Sequence, residues 1–547
     1  MESNRAILAI VLSVIILVGY QYLFAPPPPP SSPAVTENAA PVAGGQEVSL
    51  TAPQLPLPSP PPASPPARPA RDITVDTPLY RAVFTENGGG VKSFLLKKYR
   101  ETVAVDSPPK ELMTAAEGSE PSLQFLWGDG AALPFFEADR PALTVDSGSA
   151  VLTMSGRLPS GVELVRRLTF SADSYVMELS VDVINRTDSP VQGAPLLRMT
   201  NRPFSPVSNS YVFSGPAVFT GGGLEQIKPE DISKEGGRSI GDGLRWTAYE
   251  GTYFLCGLIP LQDGSGRWGD ARAELSVSGE TQVRTVLTGA PEIVPPQGVR
   301  RYACNVYFGP KQLEALTAAN AELARIVNFG WWDFIAKPTL ALLNFLYRYV
   351  HNYGVAIILV TIIIKALFWP IAQKGMKSMK TMQKLQPKMA KLREKYGNDK
   401  EKLNVEMMQL YKTYKVNPLG GCLPMLLQIP VFFALYKVLL QTIELRHAPF
   451  MLWINDLSAP DRLAIGMEIP YLGGIPVLTL LMGASMFLQQ KMSPAAGDPT
   501  QQKVMMFLPL IFTFMFLNFA SGLVLYWLVN NLLSIAQQYF INRQDEA

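Results

Sequence analysis

A single lysine lies inside an apolar stretch in the second half of this chain. Lys365 is preceded by the uncharged residues 355–364 and followed by Ala, Leu, Phe and Trp. A charge in the middle of a membrane helix costs about 2.5–3.5 kcal/mol on insertion scales, so it is tolerated mainly where it faces water or serves a function. The sequence therefore predicts a membrane helix that carries a polar site. A lysine that snorkels to the nearby membrane surface is the alternative.

The rest of the chain combines membrane and soluble segments. Of 547 residues, 48% are hydrophobic and 17% charged, and the apolar runs concentrate in residues 1–25 and beyond residue 327. The first run is long enough to span a bilayer. It is either a cleaved secretory signal or an uncleaved anchor, and the five prolines directly after it favour the anchor. Residues 26–70 are rich in Pro, Ser and Ala, which predicts a disordered tether.

Residues 71–310 carry the pattern of an antiparallel β-sandwich domain. Alternate residues are apolar in the neighbouring segments 162–170, apart from Arg166, and 175–183, as expected for strands with one buried face. The chain's two histidines lie outside this domain, and it shows no zinc-ligand spacing, nucleophile elbow or P-loop. A scaffold is therefore favoured over an enzyme. Cys256 and Cys304 form either a disulfide or two buried free thiols.

Residues 311–352 are predicted to form a linker and an amphipathic helix. Their second half contains Trp331, Trp332, Tyr347 and Tyr349, and Trp and Tyr favour the headgroup level of a membrane. Pro338 is expected to break or kink the helix. Part of the segment therefore lies along the bilayer surface, or the helix packs on the sandwich instead.

Five further segments are predicted to span the membrane, which makes six transmembrane helices with the anchor. Residues 374–417 carry twelve Lys or Arg against four Asp or Glu, which places this loop in the cytoplasm. Both termini, including the tail 542–547, then lie in the cytoplasm, and the sandwich lies outside. The five spans are residues 353–373, 419–440, 471–490, 504–519 and 522–540.

The basic loop carries the periodicity of a helical hairpin. Its apolar side chains are either a flexible surface for apolar partner segments, which suits methionine, or the seam of the hairpin itself. The positive face fits ribosomal RNA, anionic lipid or a role in topology alone. The apolar positions, which recur at intervals of three and four, include Met382, Leu385, Met389, Leu392 and Met407.

Polar side chains share helix faces within the predicted spans. Thr361 lies four residues before Lys365, so the two share a face. Trp527, Asn531 and Ser534 do the same along the last span, and Gln428 and Gln489 lie in two others. These side chains either line a common groove or form ordinary hydrogen bonds between helices.

Three segments of the membrane region form recognisable motifs. They read KVNPLGGCLPMLLQIPVFFALYKVLL at 415–440, LQPK at 385–388 and SGLVLYW at 521–527. These motifs closely resemble the Oxa/Alb/YidC family of membrane protein insertases, in its long Gram-negative form. The similarity is strong from about residue 327 to residue 541. The anchor, tether and sandwich resemble the family in layout more than in motif.

The resemblance implies an insertase and chaperone of the bacterial inner membrane, with the sandwich in the periplasm. Its partners would be nascent membrane proteins, components of the Sec translocon, membrane lipids and the ribosome, with no cofactor, metal or catalysis. The family's groove charge is usually Arg, and Lys365 departs from this, because a buried Lys can lose its proton whereas Arg keeps it. The implied groove residues are Lys365, Thr361, Gln428, Gln489, Tyr526, Trp527, Asn531 and Ser534.

Two rival classes are kept open beside the insertase. A channel or secondary transporter also places charge within the membrane, but it is expected to show several ionisable residues along a path and internal repeats. Neither is evident in the sequence. An anchored sugar-binding or mutarotase-like enzyme would explain the sandwich, but that domain has no histidine and no evident acid/base pair.

Overall fold

The fold is described from a computed structural model. It describes residues 69–114, 120–128, 133–205, 212–261, 268–279, 281–397, 399–414, 423–466, 469, 472–492 and 499–544. The predicted anchor and nearly all of the tether lie outside these residues. A β-rich region comes first along the described chain, and a helical region follows it.

Twenty strands in the described residues build three sheets. They are β1 Asp72–Asp76, β2 Tyr80–Thr85, β3 Val91–Arg100, β4 Pro109–Thr114, β5 Gln124–Gly128, β6 Phe136–Ala138, β7 Ala142–Thr144, β8 Ser149–Arg157, β9 Val162–Ser171, β10 Val176–Asn185, β11 Val191–Asn201, β12 Gly215–Thr220, β13 Gly223–Gln226, β14 Arg238–Ile240, β15 Trp246–Glu250, β16 Phe254–Pro260, β17 Arg272–Ser278, β18 Gln282–Thr288, β19 Glu292–Val294 and β20 Val299–Pro310. The sheet orders are β4-β3-β2-β1-β7, β13-β12-β15-β16-β20-β10-β9-β8-β6, and β14-β17-β18-β11-β19 with β5 paired to β11.

The sheets pack face to face through aromatic side chains. Phe84 of β2 meets Phe170 of β9 with ring centroids 5.8 Å apart, and Phe125 of β5 lies 6.3 Å from Tyr302 of β20. Both smaller sheets therefore pack on the nine-stranded sheet. Strand β9 alternates buried and partly buried residues along its whole length, as the sequence predicts. The antiparallel prediction needs one correction, because β1 and β7 pair in parallel.

The two cysteines of the β-rich region are free and buried. They lie on the neighbouring strands β16 and β20, but Cys256 is opposite Phe308 and Cys304 is opposite Pro260. This register separates them by roughly 13 Å along the strands, beyond the reach of a disulfide. Burial raises the pKa of Cys304 to about 12. Of the two predicted alternatives, the structure shows the free thiols.

One buried ion pair closes the end of the nine-stranded sheet. Lys311, directly after β20, donates from its Nζ to Glu250 of β15, and their side chains are 8% and 0% exposed. The other carboxylate oxygen of Glu250 accepts a hydrogen bond of 2.5 Å from Gln226 Nε2. Both oxygens of this buried carboxylate therefore have a partner, as a buried charge requires.

Nine helices complete the described chain. They are α1 Pro229–Glu235, α2 Leu313–Ala319, α3 Asp333–Val350, α4 Tyr353–Tyr396, α5 Lys400–Thr413, α6 Leu423–Gln441, α7 Val477–Met492, α8 Pro499–Met515 and α9 Ser521–Gln544, with 3-10 turns at Leu323–Ile326, Gly330–Trp332, Ile443–Leu445 and Phe516–Asn518. Within the described residues, α4 alone is long and apolar enough to cross a membrane, and Gln428–Gln441 and Met505–Asn518 are shorter apolar helices. The count of six spans remains a prediction.

Two helix boundaries differ from the prediction. The span 353–373 and the first arm of the hairpin are one helix of 44 residues, α4, because residues 374–386 contain helix formers and no helix breaker other than Gly375. Helix α7 begins at Val477 rather than at residue 471. Gly473 has a φ of 69°, a conformation outside the right-handed helix, so the chain enters α7 late.

Helix α3 is amphipathic and continues through Pro338. The expected break is therefore wrong, and the alternative of a kink stays a prediction. Pro338 is inside the helix, and its missing N–H leaves one carbonyl, that of Phe334, without its helical donor. Leu340 and Leu343 are buried, whereas Phe334 and Tyr349 are 72% and 70% exposed. Whether this exposed aromatic face lies at a bilayer surface stays a prediction.

Candidate functional site

Lys365 meets two polar side chains of the last helix. Its Nζ donates to Ser534 Oγ at 2.7 Å and to Asn530 Oδ1 at 3.3 Å. The two acceptors are four residues apart on α9, so they share a helix face. The hydroxyl of Ser534 donates a hydrogen bond to the carbonyl oxygen of Asn530 at 2.8 Å. The Oγ of Ser534 can therefore accept the hydrogen bond from Lys365. Both groups that hold the ammonium are neutral.

A third helix joins this network. Gln428 of α6 donates from its Nε2 to Asn530 Oδ1 at 2.8 Å, so one amide oxygen accepts from two helices at once. Gln428 also interacts with the hydroxyl of Tyr526. The polar groups of α4, α6 and α9 therefore satisfy one another, as polar groups away from bulk water require.

A small cavity of about 30 Å³ opens beside this network. That volume is enough to hold water. Its lining combines polar side chains from three helices with apolar side chains of α4. The cavity is lined by Thr361, Ile364, Lys365, Phe368, Ile371, Ala372, Gln428, Tyr526 and Asn530. A larger cavity of about 320 Å³ lies in the β-rich region, among residues such as Lys110 and Phe204.

The structure brings five of the eight predicted groove residues together. Thr361, Lys365, Gln428 and Tyr526 line the cavity, and Ser534 binds the lysine directly. Thr361 is buried, and its hydroxyl donates to the carbonyl of Ile357 at 2.7 Å, within its own helix. The contacts of Lys365 and Gln428 are hydrogen bonds between helices, and a substrate groove at this place stays a prediction.

The other three residues are not among those lining the cavity. The ring of Trp527 packs in an aromatic cluster, 4.6 Å from Phe516 and 4.8 Å from Phe432. Asn531 donates to Ser485 Oγ at 3.0 Å, which ties α9 to α7. Gln489 lies on α7. The assignment of these three residues to the groove stays a prediction, and the described cavity does not support it.

Sequence reasoning missed Asn530, which connects three helices. The predicted polar stripe on α9 was Trp527, Asn531 and Ser534, whereas the observed one is Tyr526, Asn530 and Ser534. Both stripes have helical spacing, and asparagine occupies consecutive positions in the sequence. The i, i+4, i+8 spacing from Tyr526 was the available signal, but the sequence alone does not choose between the two rotations of the helix.

The hairpin methionines form its seam. Leu385 and Met389 of α4 are buried and pack with Met382, Met407 and Leu410, and the hydroxyl of Tyr411 on α5 lies 3.9 Å from the sulfur of Met389. Leu392 is only partly buried. The packing supports the seam interpretation over a surface for partner segments, because these side chains already cover one another.

Both regions of the chain match known protein families. Residues 72–342 match the family model of the YidC periplasmic domain, and residues 345–547 match that of the 60Kd inner membrane protein. The membrane protein insertase YidC of Syntrophobacter fumaroxidans is 44% identical over 99% of this chain and 100% of its own length. The chain belongs to the YidC family of membrane protein insertases. The YidC insertase of Syntrophus aciditrophicus is 43% identical over 99% and 100% of the two chains.

Family membership confirms the resemblance predicted from the three motifs. The β-rich region corresponds to the periplasmic domain of YidC, and the helical region corresponds to its membrane part. Among solved structures, the crystal structure of an active YidC insertase with its first transmembrane domain resolved covers 87% of this chain and 93% of its own. It is 18% identical, with a TM-score of 0.36.

Proposed function

We propose that this protein inserts nascent transmembrane segments into the bacterial inner membrane through the polar cavity at Lys365. The observation that carries the proposal is the way in which the lysine is held. Its partners are a hydroxyl and an amide oxygen, so its charge is hydrogen-bonded but not neutralised. An acidic group on an incoming chain would find a cation that is already oriented.

The mechanism follows from solvation. A polar or acidic flank that must cross the membrane loses its hydration, at a cost of several kcal/mol for a charge. In the cavity this flank meets water, amides and an ammonium instead of hydrocarbon. The apolar part of the segment meanwhile contacts exposed apolar faces, among them Ile363 and Leu367 on α4 and Phe507 and Phe514 on α8, and passes into lipid. No covalent bond is made or broken.

The finer layout belongs to the same proposal. The membrane part would hold six spans, counting the anchor at residues 1–25, with both termini and the basic hairpin in the cytoplasm. The β-rich region, residues 71–310, would lie in the periplasm. Support comes from the charge of residues 374–417, with twelve basic against four acidic side chains, and from the match to the periplasmic-domain model. The Sec translocon, the ribosome and lipids would be the partners.

The test replaces the cation by an apolar side chain of similar length. Purified Lys365→Met protein in liposomes is expected to insert clients with acidic flanks about tenfold more slowly than the wild type, which is the rate equivalent of about 1.4 kcal/mol. Clients with neutral flanks should be affected less. The matched control is Lys437→Met, which removes a partly buried lysine of α6 that is not among the residues lining the cavity. Unchanged insertion of acidic-flank clients by Lys365→Met would exclude the charge from the mechanism.

A further inference from the structure

One loop holds the ends of several membrane helices together. Residues 443–463, called the outer loop below, follow α6 at the end away from the hairpin. At the start of α4, Asn352 Nδ2 donates to the carbonyl of Phe450 at 2.9 Å. At the start of α9, Ser521 N donates to Ala459 O at 2.7 Å, and Gly522 N donates to Leu457 O at 2.9 Å. The loop thus satisfies N–H groups that have no partner within their helix.

Asp461 attaches the outer loop to a third helix. This carboxylate is 2% exposed. Its Oδ1 accepts from Trp453 Nε1 at 2.5 Å, and its Oδ2 accepts from the backbone N–H of Leu478 and, at 3.3 Å, of Thr479. Both amides belong to the first turn of α7, where the helix dipole favours a negative charge.

The neighbouring residue reaches the turn between α8 and α9. Arg462 donates to the carbonyl of Leu517 at 2.8 Å and to Asn518 Oδ1 at 2.9 Å. Carbonyls at the end of a helix carry partial negative charge, so an arginine is favoured there. Through Asp461 and Arg462, α7 and the α8–α9 turn are fixed to the same loop as α4 and α9.

Phe450 packs against α4 without spare room. A Cβ built on Gly354 would lie 2.0 Å from a ring carbon of Phe450, far closer than two carbon atoms approach. The glycine is therefore required for the ring to rest on the helix. The outer loop therefore contacts the first turn of α4, which begins at Tyr353.

An apolar layer separates the outer loop from the polar cavity. On α4 the cavity begins at Thr361, and Ala356, Ile357 and Val360 before it are at most 2% exposed. On α9 it begins at Tyr526, and Leu523 and Val524 before it are equally buried. A packed layer without free polar groups opposes the passage of water and ions, because it offers them no hydration.

We propose that the outer loop clamps this apolar layer shut and thereby makes it the permeability barrier of the protein. The layer itself is only about two turns thick, and the cavity behind it is polar. Loosening the loop would join the cavity to the outer side and create a path for water and small ions. Because Lys365 lines the cavity through which the path would run, this path would favour anions. The inference rests on the proposed groove, since the path would run through it.

The first test uses Asp461→Asn in the full-length protein reconstituted in liposomes. The amide keeps the shape of the side chain but directs N–H groups at N–H groups, which costs more than the loss of a bond alone. Chloride and potassium fluxes are measured together with client insertion in the same vesicles. Asp461→Asn is expected to raise chloride flux severalfold over the wild type. Asp72→Asn, the same change at an exposed carboxylate of β1 that pairs with Lys92, should leave the chloride flux unchanged.

A second pair of variants tests the same barrier role in case Asp461→Asn does not fold. Gly354→Ala should push Phe450 outward and produce the same leak, and Gly354→Ala combined with Phe450→Leu should restore tightness by making room for the methyl group. Adding Lys365→Met to a leaking variant should reduce its preference for chloride over potassium.

The outcomes separate the two proposals. If wild-type vesicles insert clients while Asp461→Asn and Gly354→Ala, both folded, stay as tight as the wild type, the barrier role is wrong. A leak whose preference for chloride over potassium is the same with and without Lys365→Met also contradicts the barrier role, because the path would then bypass the groove. Failure of the wild type to insert clients would count against the proposed function, whatever the fluxes.

Discussion

Two lysines of this chain are removed from bulk water in opposite ways. Lys311, in the β-rich region, donates to a carboxylate that is itself fully buried. Lys365, in the helical region, donates to a serine and an asparagine. The charge of Lys311 is neutralised by a carboxylate within the fold. The charge of Lys365 is hydrogen-bonded by neutral groups and is not neutralised.

The difference separates a structural charge from one that remains available. A buried ion pair leaves little for a third group to bind, and removing one partner strands the other in a low-dielectric core. A cation held by neutral acceptors has a desolvation cost that its own partners do not fully offset. An incoming carboxylate offsets the remainder. The Lys311–Glu250 pair is therefore a structural contact, whereas Lys365 can still bind a further acidic group.

The largest effect on stability should come from breaking the Lys311–Glu250 ion pair. Lys311→Ala leaves the Glu250 carboxylate buried without its cation, so the free energy of unfolding is expected to fall by about 3–5 kcal/mol. Denaturation of the detergent-purified protein measures it. The double variant Lys311→Met/Glu250→Gln removes both charges and should recover most of the loss. If the single and double variants are equally unstable, the loss of stability does not come from an unpaired Glu250 charge.

A smaller effect separates the two regions by the reactivity of their thiols. Burial raises the pKa of Cys304 to about 12, so at pH 8 this thiol and its neighbour Cys256 should resist a charged maleimide until the protein unfolds. Ala372 lines the cavity and is only partly buried. In a Cys422→Ser background, Ala372→Cys should label about a hundredfold faster than the native thiols. Equal rates in the folded protein would show that the cavity is dry.

The smallest effect tests the asparagine pair. Asn530→Ala removes the amide that orients Lys365, and it is expected to slow insertion of acidic-flank clients about threefold, in line with about 0.6 kcal/mol for a hydrogen bond between membrane helices. Asn531→Ala breaks only the contact to Ser485 and should leave insertion unchanged while lowering thermal stability slightly. If the two variants exchange these phenotypes, the rotation of α9 is wrong.

The strands and the polar character of the membrane region were predictable because both are local patterns. The alternation in β9 places Val162, Leu164 and Leu168 on the buried face, as period-two spacing requires. Lys365 was detectable because one charge stands out in an apolar run. In these cases a few neighbouring residues decide the outcome.

Contacts between distant segments were not predictable. Asn530 rather than Asn531 contacts Lys365 because of the rotation of α9 against α4 and α7, and that rotation depends on packing between residues separated by 165 positions in the sequence. The parallel pairing of β1 with β7 and the contact of Asp461 with the start of α7 are likewise tertiary. No periodicity within a single segment encodes them.

The continuity of α4 makes the hairpin arm and the cavity one mechanical piece. At about 1.5 Å per residue, its 44 residues extend about 66 Å, and Lys365 lies in the first third of this length. A force applied to the basic arm reaches the cavity without crossing a joint other than the prolines at 370 and 387, where a backbone hydrogen bond is absent. Pro370 lies five residues from Lys365, between Phe368 and Ile371 of the cavity lining. A partner that binds the hairpin arm of α4 therefore binds the same helix that carries the Lys365 ammonium.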